Sequence, residues 1–358
     1  MSAVARSLAV ATFALVSLGA AAQVGMTEWR AGALPVTLVY PTQAPVKSLT
    51  SGPFTIDVAL NAPAQEQRQR LIVMSHGTGG DTVSNFALAS TLARAGFVVA
   101  QPLHRGDNFK DTSQAGPPSF ESRPTEISQV IDALAADPQW SKRLDLSKVG
   151  VHGMSAGGVT GLSLAGAQWR MLDMIKHCNA NLQADIAFCF NGATQPAQQA
   201  ERLASYERAK GAPELLLPAS LKALHGGRTP TADNSEVQPD PRVASVTLSV
   251  PLAVIFTQES LARIRIPVGV VGAQRDEVLA PQFHSQRLLT LCSTCSLLAD
   301  LPGAGHFDLL SPWPEALARE VATSQVRGGL PVPGFDARLR DAAHAKIAAF
   351  HRQYLPLP

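Results

Sequence analysis

Five residues, Gly153-Met154-Ser155-Ala156-Gly157, constrain this chain more than any others. They follow residues 148–151, which read as a strand, and precede a small-residue stretch through Leu162 and Leu164 that reads as a helix. A serine between glycines at such a junction sits on a sharp, strained turn that leaves no room for neighbouring β-carbons and lifts the hydroxyl into a cleft. Chance can produce the pentapeptide in an Ala- and Gly-rich chain, and a helix-packing glycine cluster is the competing explanation. Its place between strand and helix gives it chemical meaning.

The rest of the chain supplies the sheet that such a turn needs. Residues 35–40 and 54–60 carry strand patterns punctuated by Pro41 and Gly52-Pro53. Residues 71–74 form a continuous apolar run ending in Ser75-His76-Gly77-Thr78-Gly79-Gly80. Phe86, Leu88, Leu92 and Ala93 recur at helical spacing as far as Gly96, and residues 97–100 read as the next strand. A polar loop over 102–122 leads to a helix predicted over 124–136, with Pro124 in its first turn. Further strands are expected over 243–256, 266–271 and 296–301, with helices over 282–291 and 342–354. This alternation predicts an α/β chain whose mostly parallel, doubly wound sheet is covered on both faces. From about residue 168 to 240 the pattern breaks into polar, Ala-rich and Pro-rich pieces, read as a lid inserted into one domain over 23–358.

Residues 1–22 carry one charge, Arg6, an apolar run over 8–18, and Gly19-Ala20-Ala21-Ala22 before Gln23. This is the pattern of a secretory signal cleaved after Ala22, with a retained anchor as the alternative; the run falls short of the ~20 residues needed to cross a bilayer. No later stretch is long and apolar enough for stable membrane insertion. The expectation is an exported protein, periplasmic or secreted. An oxidising compartment favours disulfides among the four cysteines, and chain proximity suggests Cys178 with Cys189 and Cys292 with Cys295, although four cysteines allow three pairings. Cys292 and Cys295 could also form a redox pair or half of a zinc site, but no second C-x-x-C or histidine pair accompanies them, and no metal is expected. With 30 Lys or Arg against 28 Asp or Glu, the net charge of +2 excludes an electrostatic nucleic-acid binder.

An alcohol is a poor nucleophile at neutral pH, so Ser155 needs a base and an acid to orient it, in the chain order serine, acid, histidine for this kind of turn. Asp276 follows the strand over 266–271, and His306 lies in Gly303-Ala304-Gly305-His306-Phe307 after the strand ending at Leu301; both fall at the carboxyl edge of the sheet. Nine histidines compete, and His104, in a loop after a strand, is the best rival, though it precedes Ser155. Asp185, before a possible strand at the opposite edge, and Asp308, close to His306, are the rival acids. Backbone N–H groups of Thr78 and Ala156 are the natural pair to hold a developing oxyanion. Met154, Phe86 and Phe307 are candidate pocket residues.

At these residues the chain resembles the α/β-hydrolase superfamily, and within it the bacterial proteins grouped as predicted dienelactone hydrolases and platelet-activating-factor acetylhydrolase-like esterases. The resemblance rests on Ser75-His76-Gly77-Thr78-Gly79-Gly80, on Leu103-His104-Arg105-Gly106-Asp107-Asn108, on Arg123-Pro124, on the serine turn, and on Asp276 and His306. It implies a serine hydrolase of carboxylic esters that needs no cofactor and acts on small-molecule, lipid or polymer esters. Two departures stand out: dienelactone hydrolases proper carry a cysteine where this chain has Ser155, and acetylhydrolase relatives often have His where Met154 stands. A serine peptidase, a lactonase and a non-catalytic binding protein on the same scaffold are the rival functions.

Overall fold

The computed structural model describes residues 23–190, 196–209, 233, 237–323 and 330–357. The expected signal over 1–22, and residues 191–195, 210–232 and 234–236 of the expected lid, lie outside them.

Ten strands form one sheet: β1 Gln23–Ala31, β2 Leu34–Thr42, β3 Lys47–Ser51, β4 Phe54–Leu60, β5 Gln69–Ser75, β6 Phe97–Pro102, β7 Leu144–Met154, β8 Val243–Ser249, β9 Val268–Ala273 and β10 Cys295–Leu301. Their spatial order is β10-β9-β8-β7-β5-β6-β2-β1-β4-β3. The six strands from β10 to β6 run parallel, while β2 pairs antiparallel with both β6 and β1. This is the α/β-hydrolase fold, with the flanking helices that a parallel sheet requires.

Among the described residues the helices are α1 Phe86–Arg94, α2 Pro117–Ala136, α3 Trp140–Arg143, α4 Gly157–Leu164, α5 Met171–Asn181, α6 Ile186–Cys189, α7 Pro196–Ala209, α8 Gln258–Leu261, α9 Ser285–Leu291, α10 Glu315–Thr323 and α11 Ala337–Tyr354. The two faces of the sheet bury separate cores, and the strand period of two sorts residues between them. In β5, Leu71 and Val73 pack with Ile127 and Ile131 of α2 and Leu162 of α4. Ile72 and Met74 point the other way, into Leu88 and Leu92 of α1 and Ile347 of α11. All seven residues of β5 are buried, which is why its sequence is an unbroken run rather than an alternation.

Three element boundaries depart from the sequence pattern. The helix expected over 124–136 starts about two turns earlier at Pro117, so Pro124 lies inside α2 rather than in its first turn. Pro117 and Pro118, which lack the N–H groups a first turn leaves unpaired, already suit that start. The strand expected over 243–256 ends at Ser249, because Val250 adopts φ +41° and Pro251 follows, which breaks the ladder. The last helix begins at Ala337, capped by the Asp336 side chain accepting from the Arg338 N–H.

The parallel registers bring the carboxyl ends of the central strands level: Ser75 faces Gly153, Met154 faces Ser249, Ser249 faces Val271, and Ala273 faces Leu301. The loops after β5, β7, β9 and β10 therefore open along one edge of the sheet, where side chains from distant parts of the chain can meet.

Candidate active site

The turn after β7 carries Ser155 at φ +54°, a backbone conformation that a non-glycine residue holds only when its surroundings enforce it. The Ser155 N–H donates to Ser249 O at 3.1 Å, and Ser155 O accepts from Gly158 and Leu252 N–H groups at 2.8 and 3.0 Å. The flanking glycines are required by contact: a β-carbon on Gly153 would stand 2.1 Å from Gly157 O, and one on Gly157 would stand 2.0 Å from Ser75 O. The strand, the following helix and the neighbouring loop are thus packed backbone to backbone around the serine.

Asp276 follows β9 and His306 opens a short 3-10 turn after β10. His306 Nδ1 and Asp276 Oδ2 are 2.8 Å apart. A carboxylate only accepts, so Nδ1 carries a proton, which in a neutral ring leaves the lone pair on Nε2. The other oxygen, Asp276 Oδ1, accepts from the Val278 and Leu279 N–H groups at 2.9 and 2.8 Å, which fixes the carboxylate plane. Both side chains are buried. Ser155 and His306 line one cavity of about 840 Å³, together with Thr78 and Ala156, the two residues whose amides were expected to hold an oxyanion. Ala156 is the N-cap of α4, where helix geometry leaves the first amides without intrahelical partners.

The rival groups are engaged elsewhere. Asp308 Oδ2 accepts from the Gly305 and Val332 N–H groups. His104 is fully buried, with Nδ1 2.7 Å from Glu126 Oε2 and Nε2 2.8 Å from Ser75 Oγ. Burial, and then the nearby Arg123 charge, holds its imidazole well below the usual histidine range, and burial pushes the Glu126 carboxyl up. The His104 N–H donates to His76 Nε2, so His76 Nδ1 is the protonated nitrogen and donates to Gly77 O at 2.7 Å.

Met154 and Phe307 line the cavity; Phe86 does not. Phe86 is a buried residue of the core beneath α1, a face that helical spacing alone does not assign. Asp185 also departs from expectation. The apolar run after it is the short helix α6 rather than a strand, and Asp185 lies beside the loop that carries Asp276. Asp185 Oδ2 is 2.8 Å from His177 Nε2 and 3.3 Å from His284 Nε2, and Asp185 Oδ1 accepts from the Ala280 N–H at 3.4 Å.

Sequence reasoning assigned no role to Arg123 and Asp107, which together grip the loop after β5. Arg123 Nη1 donates to His76 O at 2.6 Å and Nη2 to Asp107 Oδ2 at 2.7 Å, while Asp107 Oδ1 accepts from the Gly79 N–H at 2.9 Å. The residues on both sides of Thr78 are thereby held. Their only sequence signal is that both sit in motifs carrying the family resemblance. Cys178 is joined to Cys189 and Cys292 to Cys295. Among the described residues no cluster of His, Cys, Asp and Glu is arranged to hold a metal, and no helix is long and apolar enough to cross a membrane.

The family described as serine aminopeptidase, S33 matches residues 66–310, from the strand before the Thr78 loop to beyond His306. The chain belongs to this α/β-hydrolase family. A solved ferulic acid esterase from Streptomyces cinnamoneus is similar in fold, with a TM-score of 0.56 and 17% identity over 95% of this chain and 92% of that one. No curated relative matches the chain significantly. The protein is thus a hydrolase of the α/β-hydrolase fold.

Proposed function

We propose that the protein is an exported serine esterase that cleaves carboxylic esters through an acyl-enzyme intermediate. The observation that carries this reading is the Asp276–His306 hydrogen bond at the edge of a cavity that His306 and the strained Ser155 both line. His306 takes the Ser155 proton as Oγ attacks the ester carbonyl, and Asp276 steadies the imidazolium. The Thr78 and Ala156 amides hold the oxyanion, a contribution of about 3 to 4 kcal/mol per donor in such sites. His306 then returns the proton to the leaving alcohol, and water repeats the cycle on the acyl enzyme.

The inserted segment with α5, α6 and α7 is read as a lid over this cavity, since Met171, Met174 and Phe188 line it. Export is supported by the two disulfides and by the signal pattern in residues 1–22. The finer kinship with dienelactone hydrolase-like and acetylhydrolase-like esterases is supported by the buried network that His76, His104, Asp107 and Arg123 form from the residues of that resemblance.

A peptidase is the second reading, favoured by the description of the family. An aminopeptidase must hold a substrate ammonium against a carboxylate, and Asp81 and Glu320 line the cavity. Asp81 Oδ1, however, already accepts from the Val83 and Ser84 N–H groups. Labelling with a fluorophosphonate, with and without Ser155→Ala, tests the nucleophile, and p-nitrophenyl esters run beside aminoacyl p-nitroanilides separate the two activities. Labelling lost in Ser155→Ala, with esters turned over and anilides not, is the expected result. A folded protein that resists labelling would instead be a binding protein on a hydrolase scaffold.

A further inference from the structure

The cavity around Ser155 has a distinct chemical make-up. Its described lining includes two carboxylates, Asp81 and Glu320, and neither lysine nor arginine. Apart from Thr78, Ser84, Asn85, Ser155, His306 and the backbone of the glycine-rich loops, the remaining described wall is apolar or aromatic. The direction of proton transfer divides that wall into two sides. His306 must reach the leaving oxygen, so the alcohol half of an ester lies next to His306. There the Phe307 ring stands 5.1 Å from the imidazole and Trp313 5.6 Å from Phe307, with Leu317 continuing the wall from α10. The acyl half is left the wall of Phe120, Met171, Met174 and Phe188.

We infer that the site accepts uncharged esters with apolar groups on both sides of the scissile bond and rejects esters that carry a carboxylate. This rests on the ester reading above and narrows it. A carboxylate entering the cavity would lose its water without gaining a cation among the described lining residues, and it would meet the Asp81 carboxylate, a charge of its own sign. The inference fixes where a diester's hydrolysis stops. Cleaving one end consumes a water and releases an alcohol, a carboxylate and a proton, and the resulting half-ester carries the charge the cavity refuses. The anionic product is left for an enzyme with a cation in its pocket.

Dibutyl terephthalate and monobutyl terephthalate share the same scissile bond and differ in that charge. At pH 8 the expected kcat/KM for the half-ester is at least about tenfold below that of the diester, and the diester's progress curve stops at one butanol per molecule. Leu317→Arg and, independently, Met174→Arg place a cation in the wall and are expected to narrow the gap several-fold. Comparable rates on the two esters, or a labelled Ser155 with no turnover of the diester, would overturn the inference and leave the serine nucleophile standing. A Ser155 that takes no fluorophosphonate, with neither ester cleaved, would remove the ester reading and this inference with it.

Discussion

Arg123 Nη2 lies 2.7 Å from Asp107 Oδ2, and neither side chain has any exposure to solvent. An ion pair this deep is weak evidence for stability as a whole, but breaking it leaves a lone buried charge, at a cost of about 3 to 5 kcal/mol. Here the pair also sets the backbone on both sides of Thr78. Arg123→Lys keeps the charge but cannot bridge His76 O and Asp107 together. We expect it to fold, with kcat on a p-nitrophenyl ester reduced by about tenfold or more and KM nearly unchanged, because in the proposed mechanism the Thr78 amide acts on the transition state. Arg123→Ala is expected to lose the full cost in denaturant unfolding. A Lys variant with unchanged kcat would mean the pair serves the fold alone.

Asp276 holds His306 in the tautomer that leaves Nε2 free. An amide in its place can donate to Nδ1, turning the protonated nitrogen towards Ser155. Asp276→Asn is therefore expected to lower kcat by about 10³- to 10⁴-fold at neutral pH, as wrong-tautomer variants of such triads do, with little change in the unfolding midpoint. Retention of more than a tenth of the activity would remove Asp276 from the role of orienting acid.

What the sequence made legible follows from how local each signal is. Ser155, Asp276 and His306 stood out as candidates because each closes a strand in a tight turn, and strand direction fixes the edge at which that turn opens. The Arg123–Asp107 pair was not legible: one residue lies in a loop and the other inside α2, and no spacing rule joins them before the chain folds. Asp185 was misplaced because the apolar residues after it suit a strand, whereas a disulfide and the His177 and His284 contacts hold that stretch as the short helix α6. Phe86 was misassigned because periodicity gives a helix its apolar face without saying whether core or cavity lies against it.

Acid lability is expected from histidines that the fold keeps neutral. Burial lowers His351 from its ordinary 6.5 to about 3, with its ring nitrogens 2.8 Å from Ser245 Oγ and Thr247 Oγ1. Burial, followed by the Arg340 charge, takes His344 down to about 4. The unfolded chain binds these protons more readily than the folded one. Stability is thus fully present above about pH 6.5 and lost as the pH falls, by about 1.4 kcal/mol per pH unit for each such histidine. His351→Gln should flatten the fall in unfolding free energy between pH 6 and 4 by about that slope. An unchanged slope in denaturant titrations would show that His351 takes up no proton on unfolding.

The Cys178–Cys189 bond ties α5 to α6, and both cysteines line the cavity beside Met174 and Phe188. Closing so short a loop restrains the unlinked segment by about 3 kcal/mol in the chain-entropy account. In Cys178→Ser/Cys189→Ser that restraint is gone, so the wall formed by the two helices loosens while the serine turn, built on β7 and α4, is untouched. KM for long-chain or aromatic acyl esters is expected to rise several-fold, with p-nitrophenyl acetate kinetics close to those of the parent protein. Cys292→Ser/Cys295→Ser is the control, because that bond closes the turn between α9 and β10 and lines no part of the cavity. An acyl-length preference altered equally by both double variants would trace the effect to general stability rather than to the cavity wall.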